Sequence, residues 1–233
     1  MYDGKRVSVV LPALNEAEGI GAAVRAFREV REVDEVLVVD NGSTDGTGRI
    51  AREAGARVVV EPQRGYGFAC RRGLRDASGE LVCLTEPDGT FVPADLDRLL
   101  PLTREFDAVF GTRTRKAWIE DGARMDVWLR WGNWATAKYL QLLHQGPRLT
   151  DVGCTFKLFS RRVVDGVAGT LRVGGSHFSP ELMLAVIRRG FRCVEIPVRY
   201  RRRVGTSKIT GNRWRAARVA LRMLWLITLT RFR

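Results

Sequence analysis

Short apolar runs alternate with helical stretches along the first half of the chain, and this alternation most constrains the fold. The β-branched apolar runs are typical of strands, and the stretches between them have helical composition. Predicted strands lie at residues 7–11, 35–39, 57–60, 81–85 and 107–111, and predicted helices at 17–30, up to about 54, up to about 76, and at 93–102. Because the connections are short, the pattern predicts a doubly wound α/β fold with a mostly parallel central sheet and flanking helices.

After residue 111 the alternation becomes less regular, although strand-like and helical segments return. Strand-like composition is found at residues 152–159 and 192–200, and helical composition at 179–189 and 214–232. A chain of 233 residues suits one α/β domain with appendages. We therefore predict one domain over residues 1–211 and a C-terminal amphipathic helix over residues 212–233.

The formal net charge of +13 predicts an anionic partner. Nucleic acid, an anionic membrane surface and a phosphorylated substrate would each explain it, but no helix-turn-helix, zinc or RNP signature supports nucleic acid. The first six residues hold no apolar signal segment, and no uncharged apolar run approaches the roughly 20 residues that span a bilayer. The four cysteines are scattered, so we expect a cytoplasmic protein with reduced thiols, soluble or peripheral at the membrane.

Two carboxylates follow the predicted strand at residues 81–85. Glu86 and Asp88 lie one residue apart, Pro87 stiffens the loop between them, and Gly89 allows close approach of backbone to a ligand. In open α/β sheets, ligands bind at the carboxyl ends of the strands. Two hard oxygen ligands at this place could hold Mg²⁺ or Mn²⁺, which in turn could hold a diphosphate. Taken alone, the triplet is more often an ordinary acidic turn.

Two further loops follow the first two predicted strands, at residues 12–16 and 40–47. Asp40 is placed to accept hydrogen bonds from the N–H donors of a uracil or guanine base, and the glycine-rich turn beside it can shape a nucleotide pocket. Each loop by itself is better explained as helix capping. Three such loops at one edge of a sheet reverse that preference and favour a nucleotide site.

The motifs in these loops resemble the family 2 glycosyltransferases with the GT-A fold, and among them the dolichyl-phosphate mannose synthase-like branch. The matching segments are Val-Val-Leu-Pro-Ala-Leu-Asn-Glu (9–16), Val-Val-Asp-Asn-Gly-Ser-Thr-Asp-Gly-Thr (38–47), Arg-Gly-Tyr-Gly (64–67) and Glu-Pro-Asp-Gly (86–89), followed by 111–113, 151–154, 180–182 and 202–208. The resemblance covers nearly the whole chain in order. It implies the GT-A (nucleotide-diphospho-sugar transferase) fold, with C-terminal amphipathic helices.

The resemblance also implies a set of site residues. Glu86 and Asp88 would hold the metal and the diphosphate, although the family has Asp-x-Asp where this chain has Glu-Pro-Asp. The longer Glu86 side chain moves its carboxylate by about one C–C bond, which changes the preferred metal geometry. The residues that would bind the nucleotide sugar are Pro12, Leu14, Asn15, Glu16, Asp40, Gly42, Ser43, Arg64, Gly65, Glu86, Pro87, Arg202 and Lys208.

Three residues are implied to take part in catalysis, namely Asp88, Arg113 and Glu181. Arg113 would contact phosphate of the donor or the acceptor, and Arg202 and Lys208 would clamp phosphate when the C-terminal loop closes. Glu181 stands where many members carry an acidic residue near the acceptor. It is equally well explained as a carboxylate in the first turn of a helix, where the helix dipole favours it.

These features lead to a predicted activity. The chain is expected to be a metal-dependent inverting glycosyltransferase that uses a UDP- or GDP-sugar and a polyprenyl phosphate acceptor at the cytoplasmic membrane face. A hydroxyl acceptor on a soluble glycan or small molecule is the alternative, and it would need a general base that an anionic phosphate does not need. Alternatives from other classes are a nucleotidyltransferase and a non-catalytic basic binding module.

Tryptophans interleaved with basic residues mark residues 117–143, either as core helices or as a helix in a membrane interface. The last helical segment carries arginines along one face, and its longest uncharged run has eight residues, at 223–230. Such a run is too short to span a bilayer but suits shallow insertion. We therefore predict binding to an anionic membrane surface, with Trp225 and Leu226 as inserted side chains.

Overall fold

The computed structural model describes residues 1–123, 127–204 and 213–232. Within them, seven strands form one sheet in the order β3-β2-β1-β4-β6-β5-β7. The strands are β1 Val7–Ala13, β2 Val33–Asp40, β3 Arg57–Val60, β4 Leu81–Leu84, β5 Ala108–Thr112, β6 Lys157–Ser160 and β7 Cys193–Pro197. Only β6 runs antiparallel to its neighbours β4 and β5, and the other pairs are parallel. The predicted α/β fold with a mostly parallel central sheet is confirmed.

Helices cover both faces of this sheet. They are α1 Ala17–Arg28, α2 Thr47–Glu53, α3 Tyr66–Asp76, α4 Leu96–Leu99, α5 Val127–His144, α6 Arg161–Ala168, α7 Phe178–Arg188 and α8 Arg213–Arg231. Side chains alternate between the faces with a period of two. Val9 and Leu11 of β1 belong to the core cluster shared with α1, α2 and α4, whereas Val10 belongs to the cluster shared with α3 and α5 to α8.

The first strand is predicted to end at Leu11, before Pro12, but it extends two residues further, to Ala13. The carbonyl of Val10 accepts from the N–H of Thr85, next to β4, and the carbonyl of Ala13 accepts from Asn41, next to β2. Backbone groups alternate in direction along a strand, so Pro12 faces the β4 side. The pairing with β4 ends at Val10, opposite Leu84. The missing N–H of Pro12 therefore costs the sheet no hydrogen bond.

Two other segments differ from their prediction. The helix expected at residues 93–102 is the four-residue α4 between two 3₁₀ turns, the second of which contains Pro101. Proline supplies no N–H for a continuing α-helical ladder. The strand expected at residues 152–159 is confined to β6, and its chain continues directly into α6, which was not predicted. Ser160 begins α6 by accepting from the N–H of Val163.

The C-terminal helix α8 packs against the rest of the chain. Ile227 is fully buried, and the Tyr139 hydroxyl lies 2.8 Å from Oγ1 of Thr228. Trp225 is exposed as expected for an inserting side chain. Leu226, expected to insert beside it, instead packs against the core, because adjacent residues of a helix point about 100° apart. The boundary between residues 211 and 212 stays a prediction.

None of the helices in the described part of the chain combines the length and the apolar character that crossing a membrane requires.

Close contact between α3 and the sheet depends on a glycine. A Cβ atom at Gly73 would lie 2.2 Å from Cγ1 of Val10. We expect Gly73→Ala to lower the free energy of unfolding, because overpacking costs about 1–3 kcal/mol and exceeds the gain in helix propensity of about 1 kcal/mol. Gly132→Ala in α5, where no atom lies within 4 Å of the new methyl group, is the matched control and should stabilise. Urea unfolding of both variants tests this, and a stabilised Gly73→Ala would contradict it.

Candidate active site

The loops after β1 and β2 interlock through reciprocal hydrogen bonds. The N–H of Thr44 donates to Oδ1 of Asn15 at 2.9 Å, and the N–H of Asn15 donates to Oγ of Ser43 at 3.0 Å. Asn15 takes a left-handed φ of 50°, which asparagine tolerates better than most residues. The N–H of Glu16 completes the contact by donating to Oγ1 of Thr47 at 2.9 Å. The two loops predicted to bind the nucleotide therefore hold each other in place at the edge of the sheet.

Asp40 lies at the carboxyl end of β2 and orders the turn that follows it. Its Oδ1 accepts from the N–H of Ser43 at 2.9 Å. Its Oδ2 lies beside α2, where a Cβ atom at Gly48 would come within 2.7 Å. Gly42 takes a left-handed φ of 82°, which costs glycine little. The predicted residues Pro12 and Leu14 lie on the same edge, where Pro12 is buried in β1.

Asn41 joins this edge to the start of α3. Its amide donates to the carbonyls of Glu61 and Gln63 at 3.0 and 2.8 Å, and its Oδ1 accepts from the N–H of Gly65 at 2.7 Å. Gly65 also lies against the backbone of Gly174, whose carbonyl oxygen would be 2.3 Å from a Cβ atom. Arg64 is exposed and donates to the carbonyl of Gly42 at 3.3 Å.

The loop after β4 holds Asp88 in a buried position. Its Oδ1 accepts from the N–H and the hydroxyl of Thr90 at 3.0 and 2.6 Å. Its Oδ2 has no hydrogen-bond partner among the described residues, although Nη1 of Arg203 lies 3.1 Å away as an ion pair. Pro87 between the two acidic residues is also buried, and its carbonyl oxygen lies over Gly19 of α1.

Glu86 lies in an environment that disfavours its charge. Protein atoms surround its carboxyl group, although the residue keeps some exposed surface. Burial, followed by the nearby charge of Asp88, raises the pKa of Glu86 to about 7, while Arg203 and Arg113 oppose that rise. Two acidic groups in one buried place therefore need a compensating positive charge.

The donor set fits a divalent cation that binds through oxygen. No group of three or more His, Cys, Asp or Glu residues suited to a metal occurs in the part of the chain that the structure describes. Glu86 and Asp88 would be the protein ligands, and Oδ2 of Asp88, which accepts no hydrogen bond from the described residues, would be one ligand atom. Mg²⁺ is commonly held by one or two carboxylates with the remaining positions filled by substrate phosphates and water.

Arg113 is fixed beside this acidic pair by Asp151. Nε and Nη2 of Arg113 contact the two carboxylate oxygens of Asp151 at 2.9 and 3.0 Å. Burial alone would raise the pKa of Asp151, but the guanidinium of Arg113 holds that pKa below its ordinary value. Glu195 holds the backbone of Asp151 in place by accepting hydrogen bonds from the N–H groups of Thr150 and Asp151. Arg113 is therefore a rigid positive charge, since a bidentate pair fixes its plane.

The structure describes one residue of the predicted C-terminal clamp, Arg202. Arg202 exposes its side chain, and its backbone N–H donates to Glu120 at 3.3 Å. The neighbouring Arg203 instead reaches both Asp88 and Glu16, with Nη2 at 3.2 Å from Oε1 of Glu16. Lys208 lies outside the described residues.

Glu181 lies in the first turn of α7, as one of its two explanations expected. Its Oε1 accepts from the N–H of Arg172 at 2.8 Å, and both of its oxygens accept from Val173 at 3.1 and 2.9 Å. Burial raises the pKa of Glu181, and these backbone donors oppose the rise. Gly174, the next residue along, accepts from the N–H of Gly67 at 2.9 Å. Glu181 thus supports the loop that packs on the start of α3.

Sequence reasoning missed four residues of this region, namely Asn41, Asp151, Lys157 and Arg203. Asn41 and Asp151 lie inside motifs that were recognised, but their roles depend on partners distant in sequence. Lys157 is buried and donates to Oγ of Ser179 at 2.8 Å, and burial lowers its pKa. Arg203 could not be distinguished from its neighbours in a run of three arginines, because chain pairing decides which of them faces inward.

Solved structures share this architecture. Glucosyl-3-phosphoglycerate synthase from Mycobacterium tuberculosis, in complex with Mn²⁺, UDP and glucosyl-3-phosphoglycerate, superposes with a TM-score of 0.72 at 22% identity, over 98% of this chain and 80% of that one. The likeness confirms the expected GT-A fold. With its loops gathered at the carboxyl edge of the sheet, the chain is a glycosyltransferase of the GT-A class.

Relatives extend the match across the whole chain. An uncharacterized glycosyltransferase of Mycobacterium tuberculosis is 32% identical over 96% of this chain and 98% of its own length. A dolichyl-phosphate hexose transferase of Haloferax volcanii is 29% identical, and an undecaprenyl-phosphate mannosyltransferase of Micrococcus luteus is 28% identical, each over 89% of this chain and 88% of the relative. The model of Glycosyl transferase family 2 matches residues 8–167, and the chain belongs to that family.

The raised pKa of Glu86 predicts a pH-dependent stability in metal-free protein. A pKa near 7, above the ordinary 4.5, means that folding favours the protonated acid. The contribution of Glu86 to the free energy of unfolding is complete below the ordinary pKa and is lost as pH rises through about 7. We expect the melting temperature of Glu86→Gln to equal that of the wild type at about pH 5 and to exceed it at about pH 8. Thermal melts in chelator measure this, and an equal difference at both pH values would contradict it.

Proposed function

We propose that the protein transfers a sugar from a nucleotide-diphospho-sugar to an anionic phosphate acceptor, with a polyprenyl phosphate as the favoured acceptor. The observation that carries the proposal is the buried acidic loop of Glu86 and Asp88, which lies at the same sheet edge as the interlocked loops 12–16 and 40–47. Such an edge suits a nucleotide beside a metal-bound diphosphate.

The donor half of the proposal rests on the residues at this edge. Asp40, with Oδ2 turned toward α2, would receive the N–H donors of a uracil or guanine base. Glu86 and Asp88 would hold Mg²⁺ or Mn²⁺, as the carboxylates in this loop are oxygen ligands of the type that both ions prefer. When bound, such an ion supplies Lewis-acid stabilisation of the leaving diphosphate. The structurally similar synthase binds Mn²⁺ and UDP, which supports this assignment.

The chain itself supplies further stabilisation of the leaving group. The bond from the anomeric carbon to the diphosphate breaks as the acceptor oxygen attacks from the opposite face, so the product is inverted. Negative charge then grows on the diphosphate, and preorganised cations stabilise it without reorganising. Arg113 is such a cation, because Asp151 fixes its guanidinium beside the acidic loop.

The acceptor half of the proposal rests on Glu181. Both of its oxygens accept backbone hydrogen bonds from Arg172 and Val173, and a carboxylate used in this way is poorly placed to take a proton from a hydroxyl. A phosphate acceptor is already anionic and needs no general base. The two relatives named for polyprenyl-phosphate transfer support the lipid acceptor.

An aromatic surface on α5 and α8 supports a membrane-borne acceptor. Trp128 and Trp131 are 81% and 61% exposed, and Trp225 of the adjoining α8 is 66% exposed. Arg218 and Arg222 of α8 are exposed as well. Tryptophan beside arginine is typical of elements that lie in a membrane interface and contact anionic headgroups. We place the protein at the inner face of a cell membrane, with residues 212–233 as a contact helix.

A soluble phosphorylated acceptor is the second candidate, because the similar synthase binds a glycosylated phosphoglycerate. A transfer screen separates the two. Purified protein is incubated with UDP- and GDP-sugars, Mg²⁺ or Mn²⁺, and either undecaprenyl phosphate or phosphoglycerate, and products are identified by mass spectrometry. Transfer to the lipid phosphate supports the first proposal. Transfer to phosphoglycerate alone supports the second, and activity only on a neutral hydroxyl would contradict both.

Removal of the Asp88 charge should impair transfer. We expect Asp88→Asn to lower turnover at least about 10²-fold, the effect of losing an important electrostatic group. Asp97→Asn, which removes the same charge from an exposed position on α4, should keep wild-type turnover. Steady-state assays of both variants measure this. Wild-type turnover in excess chelator would contradict the metal-dependent mechanism.

Exchange of exposed tryptophans should weaken membrane binding without unfolding the protein. We expect Trp128→Ser combined with Trp131→Ser to lower affinity for anionic liposomes at least about ten-fold, because burial of each large side chain contributes about 1.5–3 kcal/mol. The melting temperature should change little, because both side chains are mostly exposed and the edge-to-face contact of Trp131 with Trp134 is the ring contact that is lost. Leu140→Ala, at a fully buried position in α5, should lower the melting temperature and keep liposome binding. Unchanged sedimentation of the double variant with liposomes would contradict the proposal.

A further inference from the structure

The guanidinium of Arg203 occupies the acidic site at the end of β4. Nη1 lies 3.1 Å from Oδ2 of Asp88, and Nη2 lies 3.2 Å from Oε1 of Glu16. Its positive charge also opposes the raised pKa of Glu86. The arginine side chain is only 25% exposed and the Asp88 side chain 1%. Arg203 therefore supplies positive charge at the site where two acidic residues converge.

The backbone around Arg203 is tied to the same loop. The N–H of Val204 donates to the carbonyl of Asp88 at 2.9 Å, and the N–H of Arg201 donates to the carbonyl of Thr90 at 2.8 Å. Tyr200 forms a bridge to Phe91 just before this segment. These contacts hold the segment in place through the main chain, so the side chain of Arg203 can leave Asp88 without detaching its backbone.

The contact between Arg203 and Asp88 is an ion pair without hydrogen-bond geometry. Oδ2 of Asp88 and Nε of Arg203 are both buried and lack hydrogen-bond partners among the residues that the structure describes. The other oxygen of Asp88 is already used by the N–H and hydroxyl of Thr90. Oδ2 is thus the Asp88 oxygen that a cation would take, and it is the oxygen that Arg203 faces.

We propose that Arg203 is a resident counter-ion of the acidic site and that the divalent metal displaces it from Asp88. A guanidinium at 3.1 Å and a metal ion cannot both occupy the space in front of one oxygen. In the metal-free protein, Arg203 compensates the buried charges of Glu86 and Asp88. The metal takes over that role when it binds, and Arg203 becomes free to move. The proposal rests on the metal use proposed above for this site.

The exchange makes metal affinity depend on Arg203. Metal alone binds weakly because it must displace an existing ion pair, which lowers its apparent affinity by competition. A nucleoside diphosphate brings anionic oxygens for the released guanidinium, since arginine pairs well with phosphate. Metal and donor should therefore bind cooperatively, and part of this coupling should depend on Arg203.

Binding of Mn²⁺ to matched variants tests the exchange. Free Mn²⁺ is measured by electron paramagnetic resonance with wild type, Arg203→Met, Arg203→Lys and Arg201→Met, each with and without UDP. Arg201 belongs to the same arginine run and is exposed, so its variant controls for the loss of one positive charge. We expect Arg203→Met to bind Mn²⁺ alone at least about ten-fold more tightly than wild type, with Arg203→Lys between them. Arg201→Met should stay within about two-fold of wild type.

A second readout distinguishes exchange from a purely structural role. Metal-free Arg203→Met should melt below the wild type, because it leaves buried carboxylates without a counter-charge, and saturating Mn²⁺ should restore its melting temperature. A merely structural arginine would lower the melting temperature and leave the Mn²⁺ affinity unchanged. Unchanged or weaker Mn²⁺ binding by Arg203→Met would overturn the proposed displacement of Arg203 but not the proposed metal use. Absence of Mn²⁺ binding to the wild type, with and without UDP, would overturn the proposed metal use as well.

Discussion

Two acidic side chains are buried together after β4, and their need for positive charge organises the surrounding structure. Burial of Glu86 beside Asp88 raises its pKa to about 7, because a charged carboxylate loses hydration and meets a like charge. Arg203 reaches the pair from the segment after β7, and Arg113 reaches it from the end of β5. Arg203 and Asp151, the residue that holds Arg113, both come from the second half of the chain, so the site forms only when the two halves have packed together.

The cationic partners differ in how firmly they are held, and this difference suits different tasks. Asp151 accepts two hydrogen bonds from the guanidinium of Arg113, at 2.9 and 3.0 Å, so the positive charge of Arg113 keeps a constant position. Arg203 contacts single oxygens of two carboxylates and can be released at lower cost. A fixed charge favours stabilisation of a leaving group, whereas a releasable one can exchange with an entering cation.

The acceptor side shows a similar separation of structural and chemical roles. Both oxygens of Glu181 accept hydrogen bonds from the backbone of the loop before α7, and this loop packs on the start of α3. An acceptor that carries its own negative charge fits this arrangement, and the exposed tryptophans of α5 offer a surface where a lipid carrier would be delivered. Packing of α8 on α5, where Nε2 of His144 lies 2.9 Å from the carbonyl oxygen of Ile227, joins the exposed tryptophans of both helices to the folded chain.

The sequence by itself determined the α/β class, the strand positions in the first half of the chain and the three loops at the sheet edge, because periodicity and turn chemistry are local properties. It also located Glu86 and Asp88, since they follow a recognisable strand. It did not determine that Arg203, rather than Arg202, faces the acidic pair, nor that Asp151 holds Arg113. Those outcomes depend on strand pairing between distant segments, and a shift of one residue in such pairing reverses which side chain faces inward. Only the tertiary structure decided them.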